Sequence, residues 1–314
     1  MSAATSPAGT TSGASAASIT GARLTALRDE GRPALVGYLP VGFPDVERSV
    51  EAVLAMVDAG VDVVEVGVPY TDPVMDGPVV QRAAEAALAA GTRVRDVLRV
   101  VEAVTEHSGG RVPTLVMTYW NPVLRAGVDA FARDLAAAGG AGLITPDLIP
   151  DEGADWIAAS EEHGLDRVFL VAPSSTTERL RLTAQASRGF VYAASTMGVT
   201  GVRSEVGLHA EQLVADTRAA GAEHVCVGLG VSTGDQAAQV GRYADGVIVG
   251  SALVRTLLDD APWGARLDAL QRRTTDLADG VRRARGPEHL DATRTVPAVD
   301  DSTQLDPTSQ ETVS

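Results

Sequence analysis

The sequence predicts an α/β fold, a (β/α)8 barrel, and three observations support that class. The chain has 314 residues, of which 45% are hydrophobic, so it can bury one large core. Eight short apolar runs rich in β-branched residues occur along it, and each is followed by a pattern typical of a helix. Eight such units at regular spacing favour a closed parallel barrel. An open doubly wound sheet is the alternative, although eight regular units are unusual for it.

The predicted strands alternate with amphipathic helices. Residues 50–57 carry apolar side chains at positions i, i+3, i+4 and i+7, as expected of a helix with one buried face. Patterns that resemble capping boxes, at Ser175 and Ser232, predict two further helix starts. The eight predicted strands are "ALVGYLP" (34–40), "VDVVEVG" (61–67), "TLVMTYW" (114–120), "GLITPD" (142–147), "RVFLVAP" (167–173), "FVYAAS" (190–195), "HVCVGLG" (224–230) and "DGVIVGS" (245–251).

The two ends of the chain differ in composition from the region between them. Residues 1–17 and 284–314 are rich in small and polar residues, and we predict that both are disordered tails. The barrel is therefore predicted to span residues 18–283. Within it, an extra N-terminal helix at about residues 19–30 is expected to close the barrel floor.

Charge and hydropathy argue against several classes of function. The net charge of −15 disfavours binding to nucleic acid or to an anionic membrane, which both need basic patches. No apolar run reaches the ~18 residues that a membrane span needs, and the N-terminus lacks the features of a secretory signal. Because Cys226 is the single cysteine, no intrachain disulfide can form, and a cytoplasmic location is expected.

Two absences from the sequence limit the chemistry. The chain contains no lysine, since all 26 basic residues are arginine, so neither a Schiff-base lysine nor a covalent pyridoxal anchor is available. The five histidines show no metal-ligand spacing, so no metal site is predicted. Any reaction must therefore use carboxylates, hydroxyls and backbone amides.

Two carboxylates lie near the C-terminal end of the second strand, where a barrel places its active groups. Glu65 stands within the apolar strand, so burial should raise its pKa and suit it to acid–base catalysis. A structural ion pair with an arginine is the alternative for Glu65. Asp76 follows in the loop "PYTDPVMDGP" (69–78), either as a second catalytic carboxylate or as an ordinary turn aspartate.

Tyrosines occupy the C-terminal parts of other predicted strands. Tyr38, Tyr119 and Tyr192 lie in or just after strands 1, 3 and 6. A wide, flat, apolar ligand across the barrel mouth would explain them, because a buried tyrosine hydroxyl needs a polar partner. Packing in the core or at the rim remains open for each of them.

Glycines follow the last three predicted strands. Gly201, Gly230 and Gly250 stand in three adjacent loops, and Ser251 is placed to open a helix. Glycine lets the backbone approach an anion closely, and a helix N-terminus favours negative charge. The loops therefore predict a phosphate site built from backbone amides, with ordinary turn glycines as the alternative.

The motif "EVGVPYTDPVMDGPVVQ", which begins at Glu65, resembles the signature of the tryptophan synthase α subunit family. "YLPVGFPD", "GVTG", "GLGVS" and "VGSALV" fall where that family has corresponding segments, and the resemblance covers about residues 19–280. It implies a TIM-barrel lyase that cleaves indole-3-glycerol phosphate to indole and glyceraldehyde 3-phosphate without metal or organic cofactor. It also implies an α2β2 complex, in which a β subunit with pyridoxal phosphate condenses the indole with serine to form tryptophan.

The resemblance also implies a role for each candidate residue. Glu65 would be the general acid and base, and Asp76 would stabilise the intermediate through the indole N–H. Tyr192 would lie beside the substrate, Tyr38 would pack on the indole, and Thr200 would engage the catalytic loop as a lid residue. The other expected substrate-binding residues are Tyr119, Gly201, Leu229, Gly230, Gly250 and Ser251.

The sequence departs from the family pattern at Leu229, where many members have phenylalanine, and around the lid segment "STMGVTGVR" (195–203). Three other functions remain open: a stand-alone lyase that releases indole, a barrel sugar-phosphate isomerase, and a non-catalytic barrel that binds a phosphate ligand. The isomerase would need acidic residues at the ends of strands 1 and 5, which read "YLP" and "VAP". A pure anion binder would avoid the negative charge of Glu65.

Overall fold

The computed structural model describes residues 17–195, 203–228 and 230–284. Within these ranges, no helix is both long and apolar enough to cross a membrane. The strands are β1 (Ala34–Pro40), β2 (Val63–Gly67), β3 (Thr114–Met117), β4 (Gly142–Ile144), β5 (Asp166–Val168), β6 (Leu170–Val171), β7 (Val191–Ala194), β8 (Val225–Gly228) and β9 (Gly246–Val249). The α-helices are α1 (Ile19–Asp29), α2 (Val46–Asp58), α3 (Pro78–Ala89), α4 (Val94–Ser108), α5 (Trp120–Ala126), α6 (Val128–Ala137), α7 (Ala154–Glu162), α8 (Thr177–Ala186), α9 (Arg203–Ala219), α10 (Gly234–Val240), α11 (Ser251–Leu257) and α12 (Trp263–Arg283), and a short 3₁₀ helix spans Pro150–Glu152.

The strands form one parallel sheet that closes into a barrel. Their order is β5-β4-β3-β2-β1-β9-β8-β7-β6, and the two end strands are separated in sequence by Phe169 alone. The Phe169 carbonyl accepts a hydrogen bond from the N–H of Tyr192 (3.0 Å), so this linking residue continues the pairing of β6 with β7, and the chain itself joins the two edges. The barrel prediction is therefore confirmed. The fifth predicted strand (167–173) is corrected, because residues 166–168 pair with β4 whereas residues 170–171 pair with β7.

Side chains alternate along each strand between the barrel interior and the layer under the helices. Val63 of β2 belongs to the interior cluster, whereas Val64 and Val66 pack with side chains of the outer helices. Leu24 and Leu27 of α1 are buried in the interior cluster as well. The helix before the first strand therefore closes the barrel floor, as predicted.

Buried aspartates hold neighbouring strands together at the barrel floor. Asp62, just before β2, accepts a hydrogen bond from the N–H of Leu35 (3.0 Å) and pairs with Arg23 (2.7 Å) and Arg32 (2.8 Å). Asp245, just before β9, likewise accepts a hydrogen bond from the first N–H of β8 (2.8 Å). Each carboxylate thus fixes the start of one strand to the start of the next, a role that the sequence analysis did not identify.

Two helices begin one residue later than the capping patterns predict. Thr176 caps α8 by accepting a hydrogen bond from the N–H of Arg179, while Ser175 Oγ accepts one from the loop before it. Thr233 caps α10 in a capping box with Gln236. In both cases the threonine next to the predicted serine takes the capping position, so the helices are confirmed and their starts are corrected.

We expect Asp62→Ala to lower the free energy of unfolding by about 3 kcal/mol, because two arginines and the N–H of Leu35 lose their shared buried acceptor. Urea unfolding followed by circular dichroism measures the change. The matched control is Asp58→Ala, which removes an exposed pair with His107 and should cost less than about 1 kcal/mol. Equal losses in the two variants would show that the floor pairs do not hold the strand starts.

Candidate active site

Glu65 lies on β2 with its carboxyl group inside the barrel. It is in register with Tyr38 of β1 and Leu115 of β3, and 1% of the residue is exposed. Its Oε2 atom is buried without a hydrogen-bond partner among the described residues. Within that part of the chain Glu65 also forms no ion pair, so the arginine pair left open by the sequence is not seen.

Burial and charge give Glu65 and Asp76 different proton affinities. Burial, followed by the negative charge of Asp76, raises the pKa of Glu65 to about 8. Burial raises the pKa of the half-buried Asp76 to about 6. At pH 7 the pair therefore holds a proton on Glu65 and a negative charge on Asp76. Two carboxyl groups with separated pKa values can serve as one acid and one base.

The loop that carries Asp76 is held to the barrel rim by side chains. The N–H of Met75 donates a hydrogen bond to Tyr119 Oη (2.8 Å), and Gln81 Nε2 donates one to the carbonyl of Asp76 (2.9 Å). Tyr119 also stacks on Tyr70, with ring centroids 5.0 Å apart. Tyr119 was predicted from its strand end, but its hydrogen bond to the loop that carries Asp76 was missed. Gln81 is the last residue of the motif that begins at Glu65, but no role was predicted for it, because only the folded loop shows that its amide contacts the Asp76 carbonyl.

Tyr38 and Tyr192 line the barrel interior, and each lies against a glycine of the adjacent strand. A Cβ atom on Gly67 would overlap the Tyr38 hydroxyl, and one on Gly228 would lie 2.8 Å from Tyr192 Cε1. Burial, with the nearby carboxylates adding to it, raises the pKa of both hydroxyls well above the usual value. Both hydroxyls are therefore protonated near neutral pH. The two tyrosines were predicted as site residues from the sequence, whereas these two glycines were not.

Gly250 precedes α11, and Ser251 is its first residue, as predicted. The N–H groups of Ser251 and Ala252 lie in the first turn of α11, where backbone N–H groups have no hydrogen-bond acceptor within the helix. Among the described residues no other group accepts a hydrogen bond from them. At the start of α10, in contrast, Gln236 and Asp276 already accept hydrogen bonds from backbone N–H groups. Free N–H groups suited to an anion therefore remain at α11.

The remaining predicted phosphate and lid residues follow β7 and β8. Gly230 has a φ of 67°, a left-handed conformation that favours glycine. Thr200, Gly201 and Leu229 lie outside the described residues, so their roles stay predictions.

The structure brings together one group of potential metal ligands that the spacing of histidines along the sequence did not indicate. Asp129, Glu162 and His163 bring donor atoms within 4.8 Å of one another between α6 and α7. His163 Nε2 and Asp129 Oδ1 lie 2.9 Å apart, and these side chains are half-buried and exposed, respectively. A surface His–Asp pair accounts for the grouping, which contains none of the candidate catalytic residues.

Comparisons with known proteins match the chain over nearly the whole barrel. The family model "Tryptophan synthase alpha chain" matches residues 24–280. The tryptophan synthase alpha chain of Mycobacterium avium (strain 104) is 63% identical over 269 residues, which are 86% of this chain and 96% of that protein. A structure of Mycobacterium tuberculosis tryptophan synthase has a TM-score of 0.77 and 59% identity, covering 85% of this chain and 99% of that chain. The tryptophan synthase subunit alpha of Legionella pneumophila str. Paris has a TM-score of 0.76 and 30% identity, covering 85% of this chain and 99% of that chain.

We expect Glu65→Gln to stabilise the protein by an amount that grows with pH. The folded pKa of Glu65 is raised from 4.5 to about 8, so the neutral acid stabilises the wild type fully below pH 4.5 and that contribution is lost as the pH rises through 8. Glutamine has no charge to bury. At roughly 1.4 kcal/mol per pKa unit, the advantage of the variant above pH 8 should reach a few kcal/mol.

Unfolding of both proteins by urea at acidic, neutral and alkaline pH measures this difference in stability. The matched control is the exposed Glu102→Gln, which should show no comparable trend. A difference between Glu65→Gln and wild type that does not change with pH would contradict the raised pKa of Glu65.

Proposed function

The chain belongs to the tryptophan synthase alpha chain family, and from that premise we propose that it cleaves indole-3-glycerol phosphate to indole and glyceraldehyde 3-phosphate. Family membership gives the chain the alpha-subunit role in tryptophan synthase, which is a lyase-type enzyme. The observation that carries the proposed reaction is the buried carboxyl of Glu65, with a pKa of about 8, beside a second carboxylate of lower pKa.

The proposed cleavage is a retro-aldol reaction in which the two carboxyl groups have different roles. Glu65, protonated at neutral pH, donates its proton to the indole ring carbon that bears the glycerol chain. Asp76, ionised, accepts a hydrogen bond from the ring N–H and stabilises the positive charge that develops there. The bond from the ring carbon to the hydroxyl-bearing carbon then breaks, and its electron pair restores the aromatic ring. That hydroxyl gives its proton to Glu65 and becomes the aldehyde carbonyl, so the acid is regenerated.

Substrate binding is proposed to use the interior tyrosines and the free amides of α11. Tyr38 and Tyr192, which are protonated and lie beside Glu65, supply the walls for the indole ring. The N–H groups of Ser251 and Ala252 are the proposed donors to the phosphate, and the dipole of α11 favours its charge. Gly230, Thr200, Gly201, Leu229 and Gly250 complete the set that the family resemblance implies.

A β subunit is the proposed partner, in an α2β2 complex, and pyridoxal phosphate would belong to that subunit. Six large hydrophobic residues are exposed within the described ranges, and four of them follow the C-terminal ends of β2, β3 and β4. These four are Val74, Met75, Leu124 and Ile149. A cleft of about 740 Å³ is lined in part by Tyr70, Asp72 and Asn121, which also follow the C-terminal ends of β2 and β3. Exposed apolar side chains in neighbouring loops at one end of a barrel are typical of a protein-interaction surface. The cytoplasmic location expected from the sequence is part of the same proposal.

Glu65→Gln should lower kcat for indole release by ~10²–10⁴-fold, because the reaction loses its general acid and base. Binding of the substrate, measured by calorimetry, should persist in this variant. An activity within a few-fold of wild type would exclude the proposed role of Glu65. If the wild type binds the substrate but never forms indole, the chain is a non-catalytic phosphate-ligand barrel.

The pH profile of kcat/KM should be bell-shaped, with limbs near the pKa of about 6 for Asp76 and about 8 for Glu65. Asp76→Asn should be severely impaired, and its alkaline limb should move to lower pH, because the Asp76 charge helps to raise the pKa of Glu65. Steady-state indole assays across pH measure both limbs. An alkaline limb at the same pH in the two proteins would show that the carboxyl groups do not interact.

The cognate β subunit should increase the cleavage rate, and Leu124→Glu should weaken that response more than the basal rate, because it places a charge among these exposed apolar side chains. Titration of the lyase rate and gel filtration against the β subunit measure activation and binding. The matched control is Leu208→Glu, an exposed leucine of α9. Full activity alone, without a complex at micromolar concentrations, would indicate the stand-alone lyase that releases indole.

A further inference from the structure

The ring of Tyr38 lies between two glycines, Gly67 at the end of β2 and Gly250 directly after β9. On the β2 side, a Cβ atom on Gly67 would overlap the Tyr38 hydroxyl and lie 2.8 Å from two ring carbons. On the β9 side, a Cβ atom on Gly250 would lie 3.1 Å from Tyr38 Cδ1. The ring therefore occupies space that a side chain at Gly67 would fill.

The backbone does not require glycine at position 67. Gly67 is the last residue of β2, in register with Pro40 of β1 and Met117 of β3, and its φ lies outside the left-handed region. Glycine within a strand is normally unfavourable relative to alanine, because it loses more conformational freedom on folding. The missing side chain of Gly67 is thus explained by the space that Tyr38 needs, and not by the strand.

Tyr38 has little freedom to avoid a larger neighbour. The residue is 8% exposed, and Gly250 lies close to its other edge. Glu65 is its register partner on β2, and the charges of Glu65 and Asp76 both raise the pKa of its hydroxyl. A methyl group at position 67 would therefore move the ring away from the wall and toward the space around the two carboxyl groups.

We propose that Gly67 is a positioning residue that holds the Tyr38 ring against the barrel wall and thereby sets the width of the slot left for the indole ring. This inference rests on the proposed function, because that function places the indole ring beside Tyr38. Gly67 touches no reacting atom in this scheme and acts through Tyr38 alone. Its effect falls on recognition of the ring and not on the phosphate site at α11.

Gly67→Ala should raise KM for indole-3-glycerol phosphate at least tenfold, with a smaller change in kcat. A direct binding measurement separates recognition from chemistry. The probe is an indolyl alkyl phosphate without the hydroxyl that cleavage requires, and its Kd by calorimetry should also rise at least tenfold. Inhibition by glycerol 3-phosphate, which occupies only the phosphate site, should stay within about twofold of wild type.

Removing the closest atom of Tyr38 should relieve the clash in part. The double variant Tyr38→Phe/Gly67→Ala is expected to have a lower KM than Gly67→Ala, and a double-mutant cycle with Tyr38→Phe gives the coupling between the two positions. If Gly67→Ala does not fold, the comparison of the double variant with Tyr38→Phe carries the same test. The matched control is Gly37→Ala of β1, whose Cβ would meet the flexible Met56 side chain (2.7 Å) under the helices, and its KM should stay within twofold of wild type.

Three outcomes would overturn the inference on Gly67. An unchanged Kd for the indolyl phosphate would show that position 67 does not affect the slot. Equal losses of affinity for the indolyl phosphate and for glycerol 3-phosphate would indicate general damage to the site. Additive effects of Gly67→Ala and Tyr38→Phe would show that Gly67 does not act through the ring. Failure of the wild type to form indole would instead overturn the proposed function.

Discussion

The burial of one carboxyl group inside the barrel is the constraint on which the candidate active site depends. Glu65 is surrounded by apolar side chains of β2 and its neighbours, and its Oε2 atom has no hydrogen-bond partner within the described ranges. A nearby guanidinium group or N–H donor would stabilise the ionised form and lower the pKa, and the group would cease to be an acid at neutral pH. Glu65 therefore keeps its proton at neutral pH because the described residues offer its ionised form no stabilising contact. The rest of the barrel must compensate for the folding free energy that this burial costs.

Carboxyl groups at the two ends of the barrel differ in the contacts that they make. At the floor, Asp62 and Asp245 are fully engaged with arginine side chains and with the N–H groups of strand starts. At the mouth, Glu65 has no ion-pair partner among the described residues, and Asp76 is held through its backbone, whose carbonyl accepts a hydrogen bond from Gln81 and whose N–H donates one to Pro73. Paired carboxylates fix strand positions, whereas an unpaired one retains a proton that it can transfer. The ion-paired aspartates thus lie at the floor of the barrel, and the candidate catalytic carboxyl groups lie at its mouth.

Local sequence patterns were enough to predict the barrel and to single out Glu65. Strand and helix periodicity depend on neighbouring residues, and one acidic residue in a run of valines is visible without a structure. The break at Phe169, the space that Gly67 and Gly228 leave for tyrosines, and the amide of Gln81 under the Asp76 loop all depend on residues that meet only after the barrel closes. The spacing of residues along the sequence does not predict such contacts. The same limit applies to Asp62, whose partners are 27 to 39 residues away in sequence.

The loop that carries Asp76 has an exposed side and a side that faces Glu65, and only a few residues separate the two. The N–H of Met75 donates a hydrogen bond to Tyr119 Oη. The side chains of Met75 and Val74 are exposed, at 54% and 87%. Asp76, the next residue, faces the carboxyl of Glu65 closely enough to raise its pKa. A partner that covers the exposed side chains must also fix the backbone that carries Asp76, because no flexible residue separates them. The exposed rim residues Val74 and Met75 and the carboxylate that helps to raise the pKa of Glu65 are therefore consecutive residues of one loop, and this continuity is what would couple the proposed partner contact to proton affinity.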